Sequence, residues 1–262
     1  MANTRQEEEP APAPGDSYVQ SFARGLQVIR SFSAAAPRQT LSEVAAATGL
    51  TTAGARRILL TLQSLGYVET DGKRFGLTAR ILELGFAYLS SMPIWNLAEP
   101  VMEALVRQVK ESCSAAVLDG TDIVYVLRVQ THKIMRINLA VGTRLPAYCT
   151  SLGRMLLADL DDATVRERLE ASDRTAPTRY TITDVDALVV KVAQARRQGW
   201  CLMNQELEEG LISIAAPVTD RNGRTVAALN VSGQANRTSA KVMQETMLPG
   251  LRAAAAEISR LL

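Results

Sequence analysis

Two pairs of adjacent cations are the side chains whose types and spacing indicate chemistry most clearly. Arg56 and Arg57 lie inside the run TTAGARRILLTLQSL, and Lys73 and Arg74 directly follow an Asp-Gly pair. Guanidinium groups bind phosphate oxygens and the hydrogen-bonding edge of guanine, whereas an ammonium group binds phosphate as a point charge. The two pairs therefore indicate contacts with a nucleic acid.

Side chains that could form a catalytic or metal centre are few. The single histidine, His132, would have to serve any Ser-His-Asp triad or zinc site. The sequence has no G-x-S-x-G, HExxH or P-loop motif, and no GxGxxG that enters a helix. Its cysteines, Cys113, Cys149 and Cys201, lack C-x-x-C spacing, and we interpret them as small hydrophobic residues. We therefore predict no catalytic site, no metal and no cofactor; hydrolysis or transfer at Ser151 is the competing enzyme hypothesis.

The first arginine pair lies in the second of two short helical patterns. Thr40, with Glu43 three residues later, predicts a capping box at the start of the first pattern. The break Thr48-Gly49-Leu50 is typical of the turn in a helix-turn-helix, and the second helix is predicted to start at Thr51. An ordinary amphipathic helix with solvated arginines is the alternative. At 100° per residue, the second helix is predicted to have a core face and an exposed face. The core face consists of Ala55, Ile58, Leu59, Leu62 and Leu65. The exposed face consists of Ala53, Arg56, Arg57, Leu60 and Ser64.

A hairpin predicted directly after these helices favours the DNA-binding interpretation. Two β-prone runs, GYVET and KRFGL, flank Asp71-Gly72, and Lys73 and Arg74 follow its tip. A helix, a turn, a basic helix and a basic hairpin are together typical of a winged helix-turn-helix. The preceding run SYVQSFARGLQVIRSF predicts a first helix that packs under the motif through an apolar face of Val19, Phe22, Leu26, Ile29 and Phe32.

Length and composition indicate two soluble domains. A winged helix uses about 70 residues, so a chain of 262 residues needs at least one further core. Hydrophobic residues are 47% of the chain, and no apolar run approaches the roughly 20 residues that span a bilayer. The N-terminus lacks the pattern of a signal peptide, which favours a cytoplasmic location. The formal charge is only +2, yet residues 17 to 90 hold eight cations against four anions, as a DNA-binding segment requires.

The remaining pattern predicts an α+β second domain that is joined to the first by a helix. Residues 1 to 16 are acidic and rich in proline and alanine, and we predict a disordered tail there. Residues 17 to 77 are then the winged helix-turn-helix domain, residues 78 to 91 a linker helix, and residues 92 to 262 the second domain. The linker is apolar around more than half of its circumference, which predicts a dimer; burial within one chain is the alternative.

Alternating β-prone and helical runs fill the second domain. Three antiparallel strands are predicted in CSAAVLDG, TDIVYVLRVQ and MRINLAVGTRLPAYCT, after a helix with Pro100 in its first turn. Helices are predicted at SLGRMLLADL, DDATVRERLEA and VDALVVKVAQARRQG, and strand regions at WCLMNQELEEGLISIAAPVT and TVAALNVSG. Residues 239 to 262 are predicted to form a terminal helix over the antiparallel sheet.

Several motifs spread over residues 18 to 262 carry a resemblance to a known family. They are SFARGLQVIRSF, TLSEVAAATGL, RRILLTLQSLGYVE, VGTRLPAYCTSLGRMLLA, GLISIAAPVTD and AALNVSG. Together they resemble the IclR family of transcriptional regulators, which implies an N-terminal winged helix, a linker helix and a C-terminal effector domain related to GAF sensors. SFARGL and LPAYCTSLGR look most like the branch that controls catabolism of aromatic acids through protocatechuate and β-ketoadipate.

The resemblance also implies where an effector binds. Several family members have an acidic residue in place of Met203 and a cysteine in place of Ser213, so this chain is better suited to a larger, more apolar ring than to glyoxylate. Arg136, Arg154 and Trp200 are candidates for a carboxylate partner and a stacking face, with purely structural roles as the alternative. Carried over position by position, the resemblance assigns the effector pocket to Ser151, Leu152, Met203, Ser213, Asn230 and Ser232.

The combined prediction is a sequence-specific DNA-binding regulator whose second domain binds a small carboxylate. We expect a homodimer, with pairing into tetramers left open, that controls aromatic-acid catabolism. The alternatives are control of another catabolic operon by an aliphatic acid such as glyoxylate or pyruvate, and an architectural DNA-binding protein without ligand control. The predicted contacts with double-stranded DNA are Arg56 and Arg57 at base edges, Thr52 and Arg24 at the backbone, and Lys73 and Arg74 at phosphates beside the wing.

Overall fold

The chain divides into two compact units within a single helix. The computed structural model describes residues 18–91, 94–131 and 139–262. The boundary between the units falls between Ala87 and Tyr88, inside the helix Leu82–Ser91. The predicted tail at residues 1 to 16 lies outside the described residues, as do residues 92 to 93 and the segment that contains His132 and Arg136.

Short helices and a small sheet form the N-terminal unit. Its elements are α1 (Gln20–Ser31), β1 (Arg38–Thr40), α2 (Leu41–Thr48), α3 (Thr52–Ser64), β2 (Val68–Thr70), β3 (Arg74–Leu77), a 3-10 turn (Ala79–Ile81) and α4 (Leu82–Ser91), which continues into the other unit. Thr78 caps the 3-10 turn by accepting a hydrogen bond from the Arg80 N–H, so the helix predicted after the wing is confirmed.

The predicted capping box is present at the start of α2. The Glu43 backbone N–H donates to Thr40 Oγ1 over 3.3 Å, and the Thr40 N–H donates to Glu43 Oε2 over 2.7 Å. The bond from the Thr40 backbone is the main cause of a lowered pKa of Glu43, so the carboxylate stays charged at the positive end of the helix. Gly49 ends α2 in the left-handed conformation that favours glycine, and Thr51 caps α3. These contacts confirm the helix-turn-helix.

The predicted hairpin is also present, with one strand more than expected. β2 and β3 pair antiparallel around a turn in which Asp71 Oδ1 accepts hydrogen bonds from the Lys73 and Arg74 backbone N–H groups. β1 pairs with the other edge of β3, which gives the strand order β1-β3-β2. β1 was missed because its three residues, which end at the helix cap Thr40, show no alternation of polar and apolar side chains.

The core of the N-terminal unit differs from the predicted pattern at both ends. Its buried residues are Val28, Val44, Ala45, Ala55, Leu59, Leu62 and Val68. The placement of Val19, Phe22, Leu26 and Leu65 in the core is wrong, because these side chains are 62%, 68%, 36% and 52% exposed. α1 packs through its C-terminal half, at Val28, and Leu65 follows the last residue of α3, where the chain turns away.

A six-stranded antiparallel sheet is the centre of the C-terminal unit. The elements are α5 (Ile94–Val109), β4 (Ser112–Asp119), β5 (Asp122–Val129), β6 (Arg144–Pro146), α6 (Ser151–Leu157), α7 (Asp162–Ala171), α8 (Val185–Gln198), β7 (Cys201–Asn204), β8 (Leu211–Thr219), β9 (Thr225–Gln234), α9 (Ala240–Val242), a π-helical turn (Met243–Met247) and α10 (Leu248–Ser259). The strand order is β6-β5-β4-β9-β8-β7. The central pair of β4 with β9 joins segments that are far apart in the sequence, whereas β8 and β9 are consecutive strands joined by a short turn.

Two predicted elements of this unit need correction. The region at residues 200 to 219 contains two strands, β7 and β8, because the chain reverses between them with Gln205 and Gly210 at positive φ. Pro100 lies in the interior of its helix and not in the first turn, because α5 already begins at Ile94. The third predicted strand run is described only from Leu139 onwards, where β6 forms a short edge strand.

Helices cover both faces of the sheet and make this unit α+β. α5 and α10 pack on one face against Ile214, Leu229 and Val231. On the other face α6 packs against Ala215 and Ala228, and α8 packs against α6. A sheet that is covered on both faces buries its polar side chains as well as its apolar ones. In the part of the chain that the structure describes, no helix has the length and apolar character to cross a membrane.

A close approach of α6 to the preceding loop leaves space only for glycine at position 153. A Cβ atom at Gly153 would overlap the backbone carbonyl and Cα of Ala147. Thr150 caps the same helix by accepting a hydrogen bond from the Gly153 N–H over 3.1 Å. Because Ser151 is the first residue of α6, this packing fixes the position of its hydroxyl relative to the sheet.

We predict that Gly153→Ala destabilises the C-terminal unit by about 3 kcal/mol, since neither the helix nor the Ala147 backbone can move independently. The midpoint of its calorimetric unfolding transition should fall by about 6–12 °C. The matched control is Gly25→Ala in α1, where an added Cβ meets nothing within 4 Å and alanine is the better helix former. Equal midpoints for the two variants would show that the close approach imposes no constraint.

Candidate nucleic-acid interface and ligand cleft

The exposed side of α3 carries the first pair of cations. Ala55 and Leu59 are fully buried, and this anchors the helix with Arg56 and Arg57 in solvent between them. Neither guanidinium has a charged partner among the described residues. Thr52, in the first turn of the helix, is exposed as well. α3 therefore presents free hydrogen-bond donors in its N-terminal half, the part of a recognition helix that meets base edges.

The tip of the wing carries the second pair. Lys73 and Arg74 are exposed, and Arg74 Nη1 also donates to the Arg38 carbonyl oxygen over 3.3 Å. Backbone N–H groups of Arg74 and Lys73 lower the pKa of Asp71, so this carboxylate is committed to shaping the turn. Arg24 is exposed on α1. All six predicted DNA-contact side chains thus lie on the surface of the N-terminal unit.

A narrow cleft lies between the sheet of the C-terminal unit and the start of α6. The space between its walls is about 400 Å³, with its open mouth included. Strands β5, β7, β8 and β9 supply one side, and the loop before α6 together with the β7–β8 turn supplies the other. The lining residues are Tyr125, Leu139, Cys149, Thr150, Ser151, Met203, Glu206, Leu207, Leu211, Ser213, Asn230 and Ser232.

Buried hydroxyl and amide groups form the floor of the cleft. The Oγ atoms of Ser151 and Ser213 lie 2.9 Å apart and share a hydrogen bond, and Asn230 Nδ2 donates to Ser232 Oγ over 3.0 Å. Asn230 is only 4% exposed, yet its Oδ1 has no hydrogen-bond partner among the described residues. Polar groups buried in this way require partners, so the floor is suited to a ligand that brings its own hydrogen-bonding atoms.

Two weak acids in the wall are uncharged at neutral pH. Burial raises the pKa of Tyr125 to about 12 and that of Cys149 to about 11. Their O–H and S–H groups therefore remain hydrogen-bond donors and repel no anion. Met203, Leu139, Leu207 and Leu211 add apolar surface, so the cleft combines hydrogen-bond donors with an apolar wall.

A buried ion pair closes one end of the cleft. Arg154 Nη1 and Nη2 donate to Glu206 Oε1 and Oε2 over 3.0 and 2.6 Å, and Arg154 Nε donates to the Tyr148 carbonyl oxygen over 2.8 Å. Glu206 also accepts from the Ile182 N–H. The guanidinium is therefore paired with a carboxylate of its own chain, which favours the structural role that the sequence left open for Arg154 over that of a carboxylate partner.

The structure brings together most of the predicted effector residues but not all of them. Ser151, Met203, Ser213, Asn230 and Ser232 line the cleft. Leu152 instead is buried in the hydrophobic core that α6 forms with the sheet, and it is not among the lining residues. Trp200 packs against the core on the α5 and α10 side of the sheet and offers no stacking face to a ligand in the cleft. Arg136 lies outside the described residues.

Sequence reasoning missed several lining residues for identifiable reasons. Cys149 and Thr150 directly precede the predicted Ser151, so proximity in the sequence was an available signal. Glu206 and Leu207 were hidden in a turn that had been included in a strand region. Tyr125 points to the same face as Ala116, its partner in the sheet, and only the strand pairing reveals this. Among the described residues no three His, Cys, Asp or Glu side chains gather as metal ligands.

Comparison with family models matches both units. Residues 21–72 match the model described as the IclR helix-turn-helix domain, and residues 86–260 match the model described as the bacterial transcriptional regulator IclR C-terminal. Among named relatives, the Pca regulon regulatory protein of Pseudomonas putida is 41% identical over 92% of this chain and 83% of its own length. The p-hydroxybenzoate hydroxylase transcriptional activator of Acinetobacter baylyi is 35% identical over 94% and 93%.

Solved structures of similar proteins have the same fold. A transcriptional regulator from Rhodococcus sp. RHA1 is 49% identical and superposes with a TM-score of 0.83 over 93% of this chain and 98% of its own. An IclR homologue from Microbacterium hydrocarbonoxydans, crystallised with 4-hydroxybenzoate, is 26% identical with a TM-score of 0.81 over 92% and 98%. Both similarities extend over the two units.

We predict that Glu206→Gln destabilises the C-terminal unit by about 3 kcal/mol, because it leaves the buried Arg154 guanidinium without a counter-charge. The matched control is Glu103→Gln, which removes one partner of the exposed Arg107–Glu103 pair at 3.4 Å and should leave the melting temperature unchanged. Calorimetry of both variants measures the difference. If Glu206→Gln and Glu103→Gln had the same melting temperature, the buried ion pair would make no measurable contribution to the stability of the C-terminal unit.

Proposed function

The chain belongs to the IclR family of bacterial transcriptional regulators, and on this premise we propose that it controls genes of aromatic-acid catabolism in response to an aromatic carboxylate. The observation that carries the proposal is the composition of the cleft. Donors from Tyr125, Ser151 and Ser213 line a space to which Met203 and three leucines add apolar surface. The one carboxylate in the lining, Glu206, is paired with Arg154. An aromatic acid has the complementary form, with a flat apolar ring and a polar group at its end.

The relatives support an aromatic ligand over an aliphatic one. The Pseudomonas putida relative is named for the Pca regulon, the Acinetobacter baylyi relative for p-hydroxybenzoate hydroxylase, and the Microbacterium homologue holds 4-hydroxybenzoate. In this chain Met203, 3% exposed, adds a large apolar side chain to the wall. Glyoxylate and pyruvate have too little apolar surface to use such a wall, since the hydrophobic contribution scales with the area buried.

The N-terminal unit is proposed to read DNA through two kinds of contact. Arg56 and Arg57 would reach base edges in the major groove, where a guanidinium pairs with guanine through two hydrogen bonds. Thr52 and Arg24 would contact the backbone beside α3 and α1. Lys73 would bind phosphate at the wing together with Arg74. Phosphate contacts set position and affinity, whereas the base contacts of α3 supply the specificity.

We propose that the regulator works as a dimer in the cytoplasm and has no catalytic role. Large apolar side chains are exposed on α1 and α4, among them Phe22, Leu82 and Phe86 at 68%, 70% and 67%. A monomer rarely leaves several residues of this kind in water, and a second copy of the chain would cover them. Residues 78 to 90 join the two units, so ligand binding would bias the arrangement of the DNA-reading helices through this segment.

We predict that Arg57→Ala abolishes specific binding to an operator that the wild-type protein selects from a random DNA pool, as measured by gel shift. Loss of a bidentate base contact costs about 1–3 kcal/mol in discrimination at that position. Lys73→Ala should weaken binding to all DNA sequences by a similar factor. It should also reduce the slope of log K against the logarithm of the salt concentration by about one, because one phosphate contact is lost.

The control for both variants is Arg107→Ala, which removes an exposed arginine from the C-terminal unit and should bind the operator like the wild type. Calorimetric titration with the effector should give the same affinity for all three variants. Unchanged operator selection by Arg57→Ala would remove α3 from its proposed role.

We also predict that protocatechuate or 4-hydroxybenzoate raises the melting temperature of the full chain, whereas glyoxylate and pyruvate do not. A ligand at one hundred times its dissociation constant stabilises the folded state by about 2.7 kcal/mol. β-Ketoadipate is included in the same thermal-shift series. A shift with β-ketoadipate and none with the aromatic acids would identify an aliphatic effector from the same catabolic pathway. A shift with glyoxylate or pyruvate alone would favour an aliphatic effector, and no shift with any acid would favour an architectural DNA-binding protein.

A further inference from the structure

Arg128 is a cation on the cleft side of the sheet, and the proposed function assigns it no role. It lies on β5 directly opposite Ser114 of β4, and Ser114 lies directly opposite Asn230 of β9. Side chains at directly paired positions of adjacent strands project to the same face of a sheet. Since Asn230 lines the cleft, Arg128, Ser114 and Asn230 form a polar row that runs from the cleft floor towards β5.

The hydrogen bonds of Arg128 are incomplete. Its Nη1 donates to Ser114 Oγ over 3.1 Å, which holds the guanidinium over β4. Its Nε–H is buried and has no hydrogen-bond partner among the described residues. A buried donor without an acceptor destabilises a protein, so a donor of this kind indicates an acceptor that comes from outside the chain.

The charge of Arg128 is also not balanced by a carboxylate in the described part of the chain. Burial lowers its pKa, and its titratable neighbours are Tyr125 and Cys113, whose own pKa values burial raises to about 12. Both are neutral at pH 7, whereas a guanidinium stays protonated in proteins. Arg154 differs in this respect, because Glu206 neutralises it completely.

Two residues that line the cleft lie near Arg128, which is not itself among the lining residues. Tyr125 precedes it on the same strand and lines the cleft, and Asn230 lines the cleft two strands away with its own Oδ1 unpartnered. Adjacent strands are about 4.8 Å apart. A guanidinium held over β4 therefore lies about one strand spacing from the floor at Asn230, within reach of a ligand that occupies the cleft.

We propose that Arg128 binds the carboxylate of the effector, and that Ser114 positions its guanidinium at the edge of the cleft. The inference rests on the proposed aromatic-acid effector and names the cation that recognises its charged end. The planar guanidinium matches a carboxylate through two parallel N–H donors. The ring of the ligand then lies over the hydroxyl floor, against the wall formed by Met203 and the leucines.

The test compares an acid with its neutral isostere in the full-length protein. Calorimetric titrations of the wild type use 4-hydroxybenzoate and protocatechuate, and then 4-hydroxybenzamide and 3,4-dihydroxybenzamide, which keep the ring but lose the charge. Arg128→Gln should weaken binding of the acids by about 10- to 100-fold, which is the contribution of a charge-assisted pair. Affinity for the amides should change by no more than about twofold, so the preference for acid over amide should disappear.

Two further variants keep the test decisive if Arg128→Gln folds poorly. Arg128→Lys retains the positive charge but loses the paired N–H donors of the guanidinium. It should therefore keep part of the preference for the acids over the amides. Ser114→Ala removes only the hydroxyl that holds the guanidinium, and it should weaken binding of the acids by about threefold to tenfold without affecting the amides. Arg107→Gln is the matched control for loss of an exposed arginine and should bind both ligand classes like the wild type.

The outcomes separate this inference from the proposed function. A wild-type protein that binds neither acid overturns the proposed function and this inference with it. A wild-type protein that prefers the acids, together with Arg128 and Ser114 variants that keep the full preference, overturns only the assignment of Arg128. Equal weakening of acids and amides by all three variants also overturns it, because the role of Arg128 would then be structural.

Discussion

Polar groups buried between two apolar layers are the constraint on which the C-terminal unit depends. Helices cover both faces of its sheet, so every hydroxyl, amide and charge on the central strands needs a partner within the chain or in a ligand. The pairs Ser151–Ser213 and Arg154–Glu206 meet this need internally. Asn230 and Arg128 meet it only in part. The polar floor of the cleft interrupts the apolar packing at Asn230, and the proposed ligand would supply the missing hydrogen-bond partners.

In the N-terminal unit, contacts at the helix ends determine how the exposed cations of α3 are presented. Its core is small, so the orientation of α3 depends on local contacts at the helix ends: the capping box at Thr40 and Glu43, the left-handed Gly49 and the cap at Thr51. With those ends fixed, the buried Ala55 and Leu59 determine that the arginines between them face solvent. A rigid display matters because base recognition tolerates little displacement of the donors. The exposed apolar residues of α1 and α4 are the feature that a lone copy of this unit leaves uncovered.

The elements that depend on local signals could be predicted from the sequence, and those that depend on distant pairing could not. Thr40 with Glu43 identified α2, and Asp71-Gly72 identified the wing, because caps and tight turns are encoded within a few residues. The cleft was predicted only through family resemblance, which named Ser213 and Asn230, two residues that line it, and left the role of Arg154 open. Arg154 and Glu206, which form an ion pair, are 52 positions apart in the sequence, and no local sequence pattern predicts such a pair. Arg128 became visible only from the register of β5, β4 and β9, which also depends on distant pairing.

The central claim is that an aromatic acid and operator DNA bind to one regulator with linked free energies. The most direct measurement is the dissociation constant for 4-hydroxybenzoate or protocatechuate with and without saturating operator, together with that for operator with and without saturating acid. Linkage requires the two ratios to be equal, and coupling of this kind is typically about 5- to 150-fold. We predict equal ratios in this range. Acid binding that leaves operator affinity unchanged, with both ratios at one, would contradict the account.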